Sequence, residues 1–447
     1  MKSSKTRARR LFPLFIVFMV SIAAICFLFI SCKGPAGPMG PEGPQGLQGQ
    51  QGEQGLVIGI TLVEKLQWLQ TFAASNTVYT IALTDDEVID PQILSYPGKN
   101  NIYIWLIGMG EERTISLSDS GPLFTIDSGV TLILDRNITL KGRSPNTDPL
   151  VIISSEGTLE MNTGAKITDN TGGGVNISGG KFTMNGGDIS GNTVGIEFVY
   201  DSETYNLGGG VYVGSESTFN MYGGAIHGNS SDDLGGGVGV NASGIFTMYG
   251  GTIYGNTAEF GAGVFVFEGT FALKNGVISN NITAGSGGGV YASGTFSMNN
   301  GTISNNTSDA GGGVYVDSYG TFTMDGGEIT SNITAGSGGG VHIEGGTLTM
   351  LRGVISGNSA EYGGGVSVKD GDLKMVNGII YGLNEANVSL RNTAANEGAA
   401  LYLSSDGVAQ CGTFTNGIWE GIDLPLTVNG YHIFTDDTVK VINGELQ

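Results

Sequence analysis

The sequence has few of the residues that build disulfides and metal sites, with three cysteines and three histidines in 447 residues. Cys26 and Cys32 lie near the N-terminus, and Cys411 is left without a partner, so a disulfide framework is excluded. The histidines are His227, His342 and His432. Their spacing is not that of metal ligands. We therefore predict no metal site and no cofactor.

Basic residues are also scarce. Lys and Arg together number 20 against 41 Asp and Glu, which gives a formal net charge of −21. A chain this acidic repels the phosphates of nucleic acids and of anionic lipids. Nucleic acid is therefore excluded as a partner.

The first 31 residues have the pattern of an export signal. A basic segment, MKSSKTRARR, precedes a long apolar run. The ending LFISC, residues 28–32, resembles a bacterial lipobox of the relaxed kind found in spirochaetes. This resemblance implies that residues 1–31 are a lipoprotein signal peptide and that Cys32 carries a lipid anchor in the membrane.

Two envelope locations follow from this N-terminus. With Lys33 after the lipidated cysteine, the lipobox resemblance implies the outer membrane and cell surface of a bacterium. The apolar run is also long enough to span a bilayer, so an uncleaved N-terminal transmembrane helix is the alternative.

A segment rich in glycine and proline follows at residues 32–57. Glycine stands at every third position from Gly34 to Gly55, which is the collagen-like Gly-X-Y period. The period is compatible with a triple helix, and hence a homotrimer, or with a single extended stalk.

Residues 58–77 contain one amphipathic pattern. Leu62, Leu66, Leu69 and Phe72 recur at helical spacing. They predict a short capping helix that shields the open edge of the structure that follows.

The rest of the chain is a repeat. The motif GGGV, once GAGV, starts at residues 172, 208, 235, 261, 287, 311, 338 and 363, and one longer step contains the insertion EFVYDSETYNL. Each unit of about 25 residues carries three strand signals, as in GGGVYV, GTFTM and GGTIYGN. This pattern predicts an all-β fold, a right-handed parallel β-helix with three strands per coil.

The repeat also divides the chain. Residues 78–170 predict less regular coils, 171–403 the regular coils, and 404–447 the last coils and a cap, for about fourteen coils in all. The duplicated segment NITAGSGGGV, at 281–290 and 332–341, lacks the Lys-Ser/Thr of a phosphate-binding loop, so its glycines are interpreted as part of the scaffold.

Alternation along the strands places Val or Ile, then Phe and Met, then Ile toward the interior. An asparagine follows most of the third-strand isoleucines three places later. These are Asn170, Asn192, Asn229, Asn256, Asn281, Asn306, Asn332 and Asn358. Asparagine tolerates the left-handed conformation of a turn, and stacked amides bond to one another, so the set predicts a structural ladder. Leu383 takes the place after Ile380 and is expected to end it.

These units resemble the repeats of the polymorphic outer membrane protein family and, more broadly, the pectate-lyase-like β-helix proteins. Among these the chain is most similar to repeat-rich surface lipoproteins of spirochaetes. The resemblance implies the fold, but it leaves function open because the fold serves lyases, hydrolases and adhesins alike.

Two kinds of candidate function remain on the surface. Asp317, Asp325, Glu328 and Glu344, with Arg352 nearby, are the residues from which a lyase or hydrolase site would be built. The favoured interpretation of these acids is a solvated surface, so no catalytic residue is predicted. Outward rows of threonine and of Tyr212, Tyr291, Tyr315, Tyr222 and Tyr249 are candidates for a binding face.

The sequence therefore favours a non-enzymatic surface lipoprotein, a structural or adhesive rod that binds a glycan or protein of a host or its matrix. The alternative is a polysaccharide lyase or glycoside hydrolase of the pectate-lyase-like fold. Acids in register on neighbouring coils beside a basic residue would favour this enzyme.

Overall fold

A computed structural model describes residues 53–447, apart from 201, 405, 416–417, 425–426, 430–431 and 444. The predicted signal peptide, the lipidation site Cys32 and nearly all of the collagen-like segment lie outside the described residues. No described helix is both long and apolar enough to cross a membrane.

The described chain winds into a parallel β-solenoid of about 12 turns, which confirms the predicted fold class. Each regular turn contributes one strand to each of three faces, named A, B and C in chain order from the GGGV motif. Face A contains Gln92–Leu94, Phe124–Ile126, Val151–Ile153, Val175–Ile177, Val211–Val213, Val238–Val240, the start of Val264–Leu273, the start of Val290–Met298, Val314–Val316, Val341–Glu344, Val366–Lys369 and Leu401–Ser404.

Face B carries the Phe and Met positions. It contains Glu53–Gly55, Thr77–Leu83, Ile102–Gly108, Val130–Leu134, Thr158–Met161, Lys181–Met184, Thr218–Met221, Ile245–Met248, the ends of Val264–Leu273 and Val290–Met298, the starts of Thr321–Thr330 and Thr347–Ser356, Asp372–Met375 and Val408–Thr415. The first of these strands comes from the end of the Gly-X-Y segment and pairs in parallel with Thr77–Tyr79.

Face C carries the isoleucines. It contains Glu87–Ile89, Arg113–Leu117, Ile138–Lys141, Ala165–Thr168, Asp188–Ser190, Ala225–His227, Thr252–Tyr254, Val277–Ser279, Thr302–Ser304, the ends of Thr321–Thr330 and Thr347–Ser356, and Gly378–Ile380.

A fourth, narrow ladder runs beside these faces in the later coils and adds to the three strands per coil that were predicted. It contains Thr257–Ala258, Ile282–Thr283, Thr307–Ser308, Ile333–Thr334, Ser359–Tyr362 and Thr393–Glu397. The polar links that look irregular in sequence form this ladder because stacking brings their backbones together at strand spacing.

The interior consists of like residues stacked on like residues. Phe182, Phe219, Phe246, Phe271, Phe296 and Phe322 form one buried column with ring centroids 4.5 to 5.0 Å apart. A single coil cannot bury its own apolar face, so each coil depends on its neighbours for stability.

The glycines of GGGV have two different structural reasons. From the second unit onward the first glycine of the motif has a positive φ, as at Gly261 with φ 60°, which side chains rarely adopt. The third glycine lies against the next coil. At Gly263, a Cβ would lie 2.4 Å from the carbonyl oxygen of Gly289, so no side chain fits without moving the backbone.

The predicted capping helix begins at Leu62 and ends at Phe72. Thr61 and Glu64 form a capping box, and the amide of Leu62 donates to Glu87 of face C at 2.9 Å. Leu62, Leu66 and Leu69 are buried in the solenoid core, whereas Phe72 is 60% exposed, so its predicted place in the stripe is wrong. Phe72 packs against Trp68 at the end of the helix instead, with the two rings tilted by 32°.

The C-terminal end is closed by antiparallel strands. Ile418–Asp423 pairs with the last strand of face B, His432–Thr435 with the last of face A, and Val439–Ile442 with the last of face C. Thr427–Asn429 and Glu445–Leu446 complete this cap, and a short 3-10 helix, Val388–Leu390, lies before it.

The predicted count of fourteen coils is too high. That count assumes about 25 residues in every coil. Some residues add no turn, namely those of the insertion near residue 200, of a second insertion at 382–391 and of the antiparallel cap. The first insertion forms an antiparallel hairpin of Ile196–Tyr200 and Glu203–Leu207.

Candidate functional site

The predicted asparagine ladder is present, and all eight asparagines are buried. In each regular step one amide oxygen accepts two bonds from the asparagine of the preceding coil. Asn281 Oδ1, for example, accepts from the backbone N and from Nδ2 of Asn256, both at 3.0 Å. The Nδ2 group of Asn281 also donates to the Ile253 carbonyl at 3.1 Å. The ladder is therefore a structural spine whose polar atoms are satisfied.

The ladder is longer than predicted at both ends. Asn146 donates to Asn170 Oδ1 at 2.9 Å, and Asn358 donates to Asn392 Oδ1 at 2.9 Å. The expectation that Leu383 ends the ladder is wrong, because the second insertion only displaces the next asparagine along the chain.

The predicted left-handed conformation also falls one place earlier than the ladder asparagine. Positive φ occurs at Gly228, Asn280 and Asn305, each directly before a ladder residue. Of the two reasons given for asparagine at this site, hydrogen bonding between stacked amides is observed, and the turn conformation belongs to the preceding residue.

A row of aromatic side chains runs along the outer surface of face A. The strand register aligns Tyr212, Gly239, Phe265, Tyr291, Tyr315, His342, Ser367 and Tyr402 in successive coils. The rings of Phe265 and Tyr291 are 4.9 Å apart, and those of Tyr291 and Tyr315 are 4.8 Å apart. Of these, Tyr212, Tyr291 and Tyr315 were predicted to be outward, but Phe265 was missed.

The aromatic row is covered at one end by inserted segments. Tyr205 and Leu207 of the hairpin, with Phe260 of a polar link, pack around Phe265 and Tyr291. The ring of Phe260 stands at 77° to that of Tyr291, with centroids 5.9 Å apart. The row is therefore half-buried under a small apolar cluster and is not a flat, open surface.

Between these segments lies a groove of about 230 Å³, referred to here as the aromatic groove. Its lining consists of Tyr205, Leu234, Phe260, Phe265, Phe267, Tyr291, Ser293, Asp317 and Tyr319. Tyr319 is 74% exposed at the rim, whereas Phe265 is 6% exposed at the base. The volume is below that of a site for a drug-sized molecule, so the groove fits a small group or one unit of a longer chain.

A second row on face A carries charge. Val316 pairs with Ile343, so the residues that follow them, Asp317 and Glu344, lie at the same place on adjacent coils. Glu344 in turn pairs with Lys369 of the next coil. Asp317 Oδ1 accepts from the Tyr319 amide at 3.0 Å, and Tyr291 Oη lies 3.4 Å from Asp317 Oδ2. Two acids and a lysine thus stand at one place on three successive coils.

Glu344 is held as a carboxylate. Lys369 Nζ donates a hydrogen bond to it at 2.5 Å, the Tyr315 hydroxyl donates another, and these bonds lower the pKa of Glu344 below its usual range. Burial, with the neighbouring acids, raises the pKa of Tyr291 and of Tyr315. Both tyrosines therefore keep their protons and act as hydrogen-bond donors.

His342 is the next residue after Tyr315 in the aromatic row and is 6% exposed. Its ring lies 5.3 Å from that of Tyr315, and its Nε2 is 3.9 Å from Glu344. Burial lowers the pKa of His342 to about 4, a larger effect than the opposing attraction of Glu344. His342 is therefore neutral at neutral pH.

The other candidate acids lie elsewhere. Arg352 Nε donates to Asp325 at 2.9 Å at the turn that follows face B, and Glu328 lines a shallow glycine-rich groove on face C. The predicted set is therefore split, with Asp317 and Glu344 at the aromatic groove and the remaining three away from it. Tyr222 and Tyr249 also stack on each other, 4.7 Å apart, at the turn after face B.

The comparisons with known proteins give no family. No protein-family model, curated protein or solved structure matches this chain. The β-solenoid itself is established by the strand pairing, and the resemblance to spirochaete lipoproteins and polymorphic outer membrane proteins stays a prediction.

Proposed function

We propose that this protein is a non-enzymatic adhesive lipoprotein of the bacterial cell surface that binds a glycan in its aromatic groove. The observation that carries the proposal is the groove itself, in which aromatic rings surround two polar side chains, Ser293 and Asp317. Aromatic rings contact the apolar faces of sugars, and a few fixed polar groups orient sugar hydroxyls.

The position of the groove fits adhesion. It is built from coils in the middle of a long repeat, where stacking on both sides holds the strands rigid. Rigid walls reduce the entropy that is lost when a ligand is ordered. The hairpin and two polar links add Tyr205, Leu234 and Phe260 to the wall that the face A strands provide.

Attachment to the envelope rests on the N-terminal sequence. A lipid on Cys32 would hold the chain in the outer membrane, with an uncleaved transmembrane helix as the alternative anchor. The Gly-X-Y segment would then separate the solenoid from the membrane, as one stalk or as the stem of a homotrimer.

The second candidate function is cleavage of a polysaccharide, as by a glycoside hydrolase. It is favoured by Asp317 and Glu344, which lie on adjacent coils with Lys369 beside Glu344. Glycoside hydrolases use a pair of carboxyl groups in this way. Glu344 is held ionised by Lys369 and Tyr315, which suits a base or nucleophile, so the proton donor would have to be Asp317.

One experiment separates the two functions. Full-length protein in mild detergent is exposed to a panel of neutral, acidic and amine-bearing glycans and matrix proteins, and retention and new reducing ends are scored on the same samples. Retention of a glycan without new chain ends is the expected result. New chain ends that disappear in Asp317→Asn would establish the hydrolase instead.

A further inference from the structure

We infer that the aromatic groove selects glycans that carry a free amine, as unacetylated amino sugars do. This inference rests on the proposed glycan-binding function and names the chemical class of its ligand. It is carried by the combination of an uncompensated carboxylate with aromatic rings set at an angle to one another around the same small space.

Asp317 is the acidic group of the groove. None of the ion pairs among the described residues includes it, whereas Glu344, one coil away, is paired with Lys369. Its hydrogen bonds come from the amide of Tyr319 and, at 3.4 Å, from the hydroxyl of Tyr291. These neutral donors orient the carboxylate and leave its charge in place.

The rings around Asp317 also favour a cation. Both faces of Tyr291 are covered, one by Phe265 and the other by Tyr315, so the rings left to face a cation are Phe260, which stands at 77° to Tyr291, and Tyr319. Tyr319 adds an exposed ring at the rim. The faces of aromatic rings attract ammonium groups, and partial burial strengthens that attraction.

A neutral sugar would use this site less fully. It would contact the rings through its apolar face but would leave the negative charge of Asp317 without a counter-charge. An ammonium substituent on the sugar ring uses both features, and the surplus of acids over the whole chain adds a long-range attraction for cations. Charge complementarity therefore favours the amine-bearing glycan.

The test compares two ligands that differ only in this group. A trisaccharide of glucosamine with free amines and its fully N-acetylated counterpart are titrated into full-length protein at pH 6. We expect the free amine to bind at least about tenfold more tightly and Asp317→Asn to abolish that preference. Asp325→Asn is the matched control, because it removes an equal charge at the turn after face B, and it should keep the preference.

Each other outcome has a defined meaning. If both trisaccharides bind equally, or if Asp317→Asn retains the preference, the inference is overturned, while binding of either one keeps the proposed function intact. If no glycan of any kind binds, both are overturned. If Asp317→Asn folds poorly, the preference of the wild-type protein is measured at 50 and 500 mM salt instead, which changes the screening length roughly threefold. A preference that does not change with salt would overturn the inference.

Discussion

At the residue scale, Asn281 shows how one side chain joins neighbouring coils. Its amide oxygen accepts two bonds from Asn256, and all the atoms involved are buried. Replacing it by alanine leaves the amide of Asn256 without an acceptor in the interior. A buried donor without a partner costs about 1–3 kcal/mol.

We therefore expect Asn281→Ala to lower the free energy of unfolding by about 2–3 kcal/mol in urea titrations. Asn275→Ala is the control, since Asn275 is exposed and belongs to no ladder, and its effect should stay below about 0.5 kcal/mol. Equal effects of the two substitutions would mean that the ladder contributes nothing beyond ordinary surface asparagines.

His342 makes stability depend on pH. Its pKa is about 4 in the folded protein against about 6.5 in an unfolded chain, so the unfolded chain binds the proton more readily. The contribution of neutral His342 to the free energy of unfolding is therefore fully present above about pH 6.5, and up to about 3 kcal/mol of it is lost as the pH drops toward 4. Tyr315, Glu344 and Lys369 are the groups that face this ring.

The matched variant is His342→Tyr, because Tyr291 and Tyr315 occupy the same place in the two preceding coils. The free energy of unfolding is measured for both proteins at pH 7 and pH 5. Wild type should lose more stability than the variant between these two pH values. A difference that is independent of pH would show that His342 does not titrate in this window.

At the scale of elements, the hairpin Ile196–Leu207 contributes to the aromatic groove but belongs to none of the three faces of the solenoid. Deleting Glu197–Tyr205 shortens the long repeat step to that of its neighbours and keeps Asn206, whose carbonyl accepts from Ser231 and Leu234. We expect unchanged β-sheet circular dichroism and at least tenfold weaker glycan binding, because one wall of the groove is removed. Unaltered affinity would place the ligand elsewhere.

The sequence was sufficient for the periodic part of this structure. A fixed repeat length forces every coil into the same path, so the interior columns and the asparagine ladder could be predicted from spacing alone. The Gly-Gly-Gly-Val motif marked face A in each coil, and the tyrosines at one place after it indicated an outward row.

The parts that interrupt the period could not be predicted. Tyr205 and Phe260 reach the aromatic row only because an insertion and a link fold back over face A, and no spacing rule reports such contacts. Asn392 continues the ladder after an insertion that hides its place in the repeat. Phe265 was an available signal, because it is an aromatic residue at the position that the tyrosines occupy in other coils.

At the scale of the whole molecule, the same stacking that stabilises the coils also presents surface side chains in rows. On most of face B these rows are polar and solvated, with Thr183, Thr247, Thr323 and Thr349 at outward positions. Where the row on face A is aromatic and covered by inserted segments, the aromatic groove forms. The solenoid is thus a scaffold, and its specificity lies in departures from the repeat.

Glycan binding in the aromatic groove is tested most directly by calorimetric titration of the best-retained glycan into wild type, Tyr319→Ala and Tyr222→Ala. Both tyrosines are exposed, at 74% and 44%, so neither substitution should disturb the fold. We predict a loss of about tenfold for Tyr319→Ala, which corresponds to about 1.4 kcal/mol, no change for Tyr222→Ala, and no new reducing ends. Equal affinities for all three proteins, or cleavage of the glycan by wild type, would contradict a binding function for this groove.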